Sequence, residues 1–535
     1  MKVVAVVPAR AESKIIPNRN LRFVNGKPLV YYAINTANKS ELISEVIVTT
    51  DSTEVKIIAE QMGAKVRKRD KALTADSVTL DTIIFDAVRD TEADYIVMLQ
   101  PTSPTLKVET LNEAIKYAIE HDLDNLISVV NDPELAWTRN EEGKLIPLFT
   151  ERVNRAYLPA HYVESGSFLI RKMAAIRGNQ SAVYGEKTDI FETSWEEAIE
   201  IHNFYDLQQA ENIMSKKKVA IYVNGNNTRG VGHIYRSLEL ADEFYTEPDI
   251  YYDINQTDRS VFGATTHNLI PVNGIGELLL RVKDIDYDIF INDILTTSID
   301  YMIALKTSLP KAKIINFEDD GEGIFKADLV INSLYGEETL PQVRAGEKYY
   351  IANKLFMFYE PVAIKDKVKE VFVSFGGADP QNYSDRLLAF ASKEEYRDYH
   401  FTVVLGRAKL NVENLMEYNK YDNITVLYDV KNMPELMSHA DIAVTSRGRT
   451  GYELAILGIP SIAMAQNQRE EKHGFVCNEN GFTYIGLNPA DEIIESNLKM
   501  YLGLSKKSRQ HFQDMLLSHD LRGGRKRVMG MINNL

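Results

Sequence analysis

Val3-Val4-Ala5-Val6-Val7-Pro8-Ala9-Arg10-Ala11-Glu12-Ser13-Lys14-Ile15-Ile16-Pro17-Asn18-Arg19-Asn20 is the stretch that decides the fold. A short unbroken apolar run that gives way at once to a polar, cation-bearing loop reads as a buried parallel strand feeding a ligand loop. The run is too short for a secretion signal and ends in Pro8-Ala9-Arg10, so a first sheet strand is expected. The same pattern returns at residues 46–50, ending in Thr50-Asp51-Ser52, and at 95–99, ending in Gln100-Pro101-Thr102. A further run at 126–130 follows a helical pattern over 111–120. Strand alternating with helix predicts a doubly wound α/β domain with ligands above the carboxyl ends of its strands.

Outward from this domain the pattern resets twice. Ser215-Lys216-Lys217-Lys218 is a basic run before a new strand, Val219-Ala220-Ile221-Tyr222-Val223. Residues 365–370 precede another, Val371-Phe372-Val373-Ser374-Phe375. Three α/β bodies are therefore expected, at 1–215, 219–364 and 365–535, the last two forming a two-lobed unit with a cleft between them. A chain of 535 residues accommodates that number. Its net charge of -15 argues against a nucleic-acid surface, which needs clustered Lys and Arg, but leaves small anions open to a locally positive pocket. Cys477 is the single cysteine, so no intrachain disulfide is expected. No apolar run has the length of a bilayer span, and a cytoplasmic protein away from membranes is expected.

The loop after the first strand carries Arg10, Lys14 and Arg19. Arg offers phosphate oxygens a two-pronged fork and Lys a point charge; by composition alone the loop also reads as a solvated basic turn. Its wording goes further. Together with Gly26-Lys27-Pro28-Leu29, Val48-Thr49-Thr50-Asp51-Ser52, Leu99-Gln100-Pro101-Thr102-Ser103-Pro104 and Asp206-Leu207-Gln208-Gln209-Ala210-Glu211, it resembles the CMP-sialic acid synthetases and the related CMP-Kdo synthetases over about residues 1–214. The resemblance implies a nucleotidyltransferase joining CTP to an acidic nine-carbon sugar, with Mg²⁺ and release of pyrophosphate. It implies that Arg10, Lys14, Arg19 and Asn20 hold the triphosphate and base, with Arg10 and Lys14 acting in catalysis. Gln100 and Ser103 would face the sugar, and Arg155 would pair with its carboxylate. Family members of this kind usually form homodimers.

The chain departs from the family pattern at several places. Ala11-Glu12 puts an anion in the phosphate loop, and Glu164-Ser165-Gly166-Ser167 stands where Asn-Gly is usual. Glu200-Ile201-His202 replaces the Asp-Ile-Asp that would hold the metal. Glu binds Mg²⁺, whereas His is a poor ligand for so hard a cation and would admit the softer Mn²⁺. Alternation on a short strand would let Glu200 and His202 reach one ion. An ordinary strand end without metal fits the same residues.

The second unit opens on Asn224-Gly225-Asn226-Asn227-Thr228-Arg229-Gly230-Val231-Gly232-His233, a glycine-rich loop expected to run into a helix. A lone histidine is more often structural than catalytic, but one behind a glycine turn at a strand's carboxyl end is a better candidate. Gly230-Val231-Gly232-His233 with Arg236, followed by Phe375-Gly376-Gly377-Ala378-Asp379-Pro380, Thr450-Gly451-Tyr452-Glu453, Leu457-Gly458-Ile459-Pro460 and Asn467-Gln468, resembles the sugar-nucleotide hydrolase of pseudaminic acid synthesis, a relative of two-lobed glycosyltransferases. The resemblance implies two Rossmann-like lobes of glycosyltransferase-B type taking a UDP-sugar. It implies that Gly376-Gly377 cradle the diphosphate, Glu453 binds the ribose, Asn467 and Gln468 touch substrate, and His233 activates water. Glu453 also reads as a charge favoured near a helix N-terminus. Arg447 and Arg449 stand where small residues are commoner, and Asn292-Asp293-Ile294 where an aromatic usually follows the Asp.

The expected protein is thus a bifunctional enzyme of nonulosonic acid synthesis, activating a pseudaminic- or legionaminic-type acid and hydrolysing a UDP-linked amino sugar. The competing expectation is a degenerate nucleotide-binding first domain supporting a glycosyltransferase or hydrolase.

Overall fold

The computed structural model describes residues 1–75, 77–178, 187–225 and 232–535, which divide into two compact units, Met1–Lys216 and Lys217–Leu535. The division falls inside the basic run at 215–218.

The first unit is built on a seven-stranded sheet in the order Thr188–Glu192, Asn125–Asn131, Tyr162–Lys172, Tyr95–Leu99, Val3–Pro8, Ile43–Thr50, Lys65–Lys68. Tyr162–Lys172 runs antiparallel to both neighbours, and the other pairings are parallel. The four apolar runs read from the sequence all lie in this sheet. The reason is visible in Val3–Pro8. Alternate side chains leave a strand on opposite faces, and here Val3, Ala5 and Val7 enter one apolar cluster while Val4 and Val6 enter another. Both faces must be covered, so an unbroken apolar run is the only composition that suits. Each such side chain contributes roughly 1.5–3 kcal/mol on burial. Helices cover the faces, among them Leu29–Lys39, Leu80–Val88 and Val108–Glu120.

The register aligns the carboxyl ends: Val7 lies opposite Val48, and Val6 opposite Met98. The loops that begin at Ala9, Asp51 and Gln100 therefore leave the sheet on one edge. The expected strand at 200–202 does not form. That segment is instead fastened by Ile201, which is fully buried and donates its backbone N–H to Thr102 O at 2.8 Å. Helix Phe204–Met214 begins directly after it with a reciprocal cap between Asn203 and Asp206.

The second unit holds two sheets whose strand pairings are all parallel. The first runs Leu269–Val272, Asp249–Asp253, Val219–Val223, Ile289–Asp293, Lys313–Phe317, Leu329–Asn332, Val343–Ala345. The second runs Ile424–Tyr428, His400–Leu405, Glu370–Ser374, Ile442–Ser446, Ser461–Ala465, Phe482–Leu487. In sequence rank both begin 3-2-1-4-5-6, the Rossmann order. The direction of winding reverses between Val219–Val223 and Ile289–Asp293 in one sheet, and between Glu370–Ser374 and Ile442–Ser446 in the other. Ligand crevices form at such reversals. The molecule is α/β throughout, as expected.

One element crosses between the lobes. The helix Gly524–Asn533 buries Val528 and Ile532 in the core of the first sheet, with Val219, Ile221 and Val223. Arg525 fixes it there, donating to the Glu239 and Glu243 carboxylates and to Ala352 O. Among the described residues no helix is long and apolar enough to cross a membrane.

Candidate functional site

In the first unit a cavity of about 230 Å³ opens at the aligned carboxyl ends. Its wall includes Arg10, Arg19, Asn20, Arg69, Gln100 and Thr102. Arg10 is placed by its loop: the next residue, Ala11, donates its N–H to Asp51 Oδ1 at 2.8 Å, and Asn20 Nδ2 donates to Arg10 O at 2.8 Å. Arg19 reaches Ile201 O at 3.1 Å through Nη1, while its Nε is buried without a partner. Arg69, nearly fully buried, donates to Thr49 O at 2.9 Å.

The electrostatics point to an anion. Burial pulls the Arg19 guanidinium below its ordinary value, Arg10 pulls it further, and Glu200 opposes. Arg69 is lowered in the same way, by burial first, with Asp51 opposing, Arg10 adding to the effect and Asp86 opposing. Arg19 and Arg69, each disfavoured in its charge by burial and by Arg10 on one cavity wall, make a site that a polyphosphate would relax.

Lys14 lies exposed on the same loop, outside the residues that line the cavity. Ser103 is buried in the Gln100–Ser103 turn and is likewise not among the lining residues; its Oγ, like Thr102 Oγ1, has no hydrogen-bond partner. Arg155 is not brought to the cavity wall. It is more than half exposed, pairs with Asp132 Oδ1 at 2.8 Å and lies over Trp195 at 5.1 Å. Glu200 and His202 do meet, Oε2 to Nε2 at 3.3 Å, although no strand aligns them. Among the described residues no group of three or more His, Cys, Asp or Glu gathers as a metal cage. The Glu200 carboxylate is of the kind that Mg²⁺ takes beside phosphates and water, whereas the His202 imidazole is a poor ligand for so hard a cation and better suited to Mn²⁺.

Gly166 ties these groups together. Its φ is +66°, and a methyl there would sit 2.5 Å from Glu200 Oε2 and 3.0 Å from Gln100 Nε2. Only glycine lets the strand pass between the two side chains. Sequence reading missed Arg69, although its position just past Lys65–Lys68 is the same strand-end signal that found Arg10 and Gln100.

In the second unit His233 stands at the start of helix Gly232–Ala241, and Asp293 ends the strand Ile289–Asp293. They meet at the first winding reversal, His233 Nδ1 to Asp293 Oδ1 at 2.9 Å. Arg236 grips both oxygens of the carboxylate, Nε donating to Oδ2 at 2.9 Å and Nη2 to Oδ1, the oxygen that His233 also meets, at 2.5 Å, and extends Nη1 to Glu318 Oε1 at 3.0 Å. Ser237 Oγ donates to Asp293 at 3.2 Å. Burial raises the Asp293 carboxyl, but Arg236 and His233 outweigh it and hold Asp293 well below the usual range. Asp293 is therefore an acceptor only, so Nδ1 carries the proton and Nε2 is the basic nitrogen. Burial lowers His233 itself, and Asp293 opposes that. This dyad was half legible: Asp293 lay inside Asn292-Asp293-Ile294, which the sequence reading noted only as a departure. Residues 226–231, including Gly230 and Val231 of the quoted motif, lie outside the described residues.

Gly376 and Gly377 form the turn after Glu370–Ser374, with Gly376 at φ +73°. Gly406 packs against them so closely that a methyl would fall 2.2 Å from Gly376 O. Glu453 is half-buried on helix Arg449–Ile456, and burial pushes its carboxyl up to about 7 against the pull of Arg449. Asn467 is occupied structurally: its Oδ1 accepts from the backbone N–H groups of Arg469 and Glu470 at 3.0 Å each. Gln468 is exposed beside it. Arg447 is likewise structural, donating to Val476 O and Glu471 O and stacking on Tyr484.

The family model described as cytidylyltransferase matches residues 4–223. The chain is 31% identical over 235 residues to a CMP-N,N'-diacetyllegionaminic acid synthase of Legionella pneumophila, covering 41% of this chain and 100% of that one. This chain belongs to the cytidylyltransferase family. The chain is also 26% identical over 266 residues to the spore coat polysaccharide biosynthesis protein SpsG of Bacillus subtilis, covering 47% of this chain and 78% of that one. A solved MurG of Acinetobacter baumannii aligns with 60% of this chain and all of its own, at 12% identity and a TM-score of 0.44. The chain spans about half the length of the first curated relatives it matches.

Proposed function

We propose that the first unit transfers CMP from CTP to an acidic nine-carbon sugar of the sialic acid type, in the pseudaminic or legionaminic class. The observation that carries this reading is the ring of Arg10, Arg19 and Arg69 around the strand-end cavity, in a chain of this family. The sugar's anomeric hydroxyl oxygen attacks the α-phosphorus and gives up its proton to solvent, the bond from that phosphorus to the β-bridging oxygen breaks, and pyrophosphate leaves. Positioning and charge neutralisation supply most of the catalysis in such a displacement. Arg10, Arg19 and Arg69 offset the phosphate charge, Asn20 holds the loop, and Gln100 with the unpartnered Ser103 hydroxyl faces the sugar. Lys14 closes on the phosphates from the loop above. Glu200 and His202 would hold Mg²⁺ or Mn²⁺, which supplies further neutralisation of the triphosphate.

The test is pyrophosphate release from CTP with a panel of nine-carbon acids and either cation. Release with one acid is expected; silence across the panel in folded, CTP-binding protein refutes the reading. Replacing His202→Asp should raise the Mg²⁺-dependent rate, and an unchanged rate and metal affinity would remove the metal assignment. The segment between Asn125–Asn131 and Tyr162–Lys172 exposes Trp137, Leu148 and Tyr157, which supports a homodimer. A monomer by light scattering would overturn that.

For the second unit we propose hydrolysis of a UDP-linked amino sugar. His233 Nε2 takes a proton from water, the water oxygen bonds to the anomeric carbon, and UDP leaves with the electrons of the broken carbon–oxygen bond. Asp293 orients the imidazole and stabilises its protonated form. A buried, oriented base supports water as the nucleophile, so UDP release should occur without any added acceptor. A strict requirement for an acceptor would transfer the unit to glycosyl transfer. Both reactions draw on cytoplasmic nucleotides, and we assign the protein to that compartment.

A further inference from the structure

Arg449 has no part in the hydrolysis just described, yet it occupies the cleft that hydrolysis would use. It opens helix Arg449–Ile456, at the winding reversal of the second sheet, and Gly448 before it offers no side-chain cap. Its Cδ lies 3.0 Å from where a methyl on Gly232 would stand, so the side chain crosses to the start of the helix that carries His233. The guanidinium lies over the Tyr350 ring at 5.0 Å and donates from Nη2 to Ile351 O at 3.2 Å. Tyr350 is itself stacked on Tyr452 at 4.2 Å, so the plane of the fork is held from behind. Nη1 is buried and has no hydrogen-bond partner. A charged donor kept dry and unpaired is costly, and a ligand acceptor would relieve the cost. Glu453 follows four residues on, on the same helix face, where Cβ atoms stand about 5–6 Å apart.

We propose that Arg449 is a specificity-determining residue that binds the diphosphate of the sugar nucleotide through Nη1, while Glu453 takes the ribose diol. The proposal rests on the sugar-nucleotide reading of the second unit. A cation and a carboxylate one helical turn apart suit a ligand with an anion at one end and a pair of hydroxyls at the other. Lysine would not replace the arginine, because a point charge neither stacks on Tyr350 nor donates to Ile351 O and a phosphate in one plane.

The experiment is calorimetric titration of the full chain with UDP, UMP and uridine, with the first unit saturated by CTP. Arg449→Met should weaken UDP about 10–100-fold, the value of one charge-assisted hydrogen bond, and leave uridine within about twofold. Arg449→Lys should recover only part of the loss; if the methionine variant does not fold, the lysine variant carries the same comparison. Unchanged UDP affinity in these variants, or equal loss of UDP and uridine, would overturn the proposal. If Glu453→Gln still loses uridine in that event, the sugar-nucleotide reading survives without Arg449. If the unaltered chain binds neither UDP nor uridine, the reading itself fails and the proposal falls with it.

Discussion

With the role proposed above, Glu453 would make ribose recognition a function of pH. Its carboxyl titrates near 7 because burial disfavours the charge, with Arg449 opposing, against an ordinary glutamate value of 4.5. A carboxylate accepts from both ribose hydroxyls, and the protonated acid spends one oxygen as a donor. Binding that needs the ionised form weakens by the factor 1 + 10^(pKa − pH). Between about pH 8.5 and about pH 5.5 that factor rises to about 30, whereas a glutamate of ordinary pKa would give about 1.1. Uridine is the right probe, since it carries no phosphate to titrate in that window. Calorimetry across the window should show a loss of about 30-fold for the unaltered chain and a flat profile for Glu453→Gln. Uridine affinity that stays level in the unaltered chain would refute both the raised carboxyl and its place on the ribose. The stability linkage has the opposite sign to the binding. An acid whose folded pKa lies above its unfolded one costs stability fully above pH 7, and the cost fades as pH falls toward 4.5. Glu453→Gln should therefore stabilise the second unit at about pH 8 by about 3 kcal/mol at most, and by nothing at about pH 4.5.

Gly166→Ala should lower stability by about 1–3 kcal/mol and abolish pyrophosphate release, because the positive φ and the 2.5 Å approach to Glu200 act together. Thermal unfolding and the release assay read the two effects; a fully active variant would show that Glu200 and Gln100 need not flank the strand. Asp293→Asn should slow UDP release by about 10²–10⁴ while the fold persists. Asp293→Ala should cost about 3–5 kcal/mol as well, by leaving Arg236 Nε and Nη2 without an acceptor and Glu318 as the one counter-charge described, and equal stability of the two variants would contradict the network. Arg69→Met should weaken CTP about tenfold or more and leave UDP binding in the second unit unchanged, a difference that competition titrations resolve.

The sheets were legible because both of their faces are covered, so the strands Val3–Pro8, Val219–Val223 and Glu370–Ser374 carry no alternation to confuse with a half-exposed strand. The candidate site was legible where a polar side chain follows such a run, as with Arg10, Gln100 and His233. It was less legible where the position depends on partners distant in sequence. Asp293 stood unremarked beside the missing aromatic at Ile294 until the fold set it against His233, and Arg69 follows an edge strand of only four residues. Arg155 and Asn467 carried motif signals, but the structure engages their side chains elsewhere, with Asp132 and with a turn. Glu200 and His202 meet although no strand forms at 200–202, where Ile201 is anchored to Thr102 instead.

The helix Gly524–Asn533 has a consequence for synthesis. The first lobe of the second unit begins with Val219–Val223, but Val528 and Ile532, which complete its core, lie about 300 residues downstream. At about 5–20 residues per second, a ribosome delivers them roughly 15–60 s later. For that interval the nascent lobe has an apolar face with no cover, while the first unit is already free to fold. The lag defines a period of chaperone dependence, and circular permutation that brings residues 524–533 ahead of Val219 should shorten it.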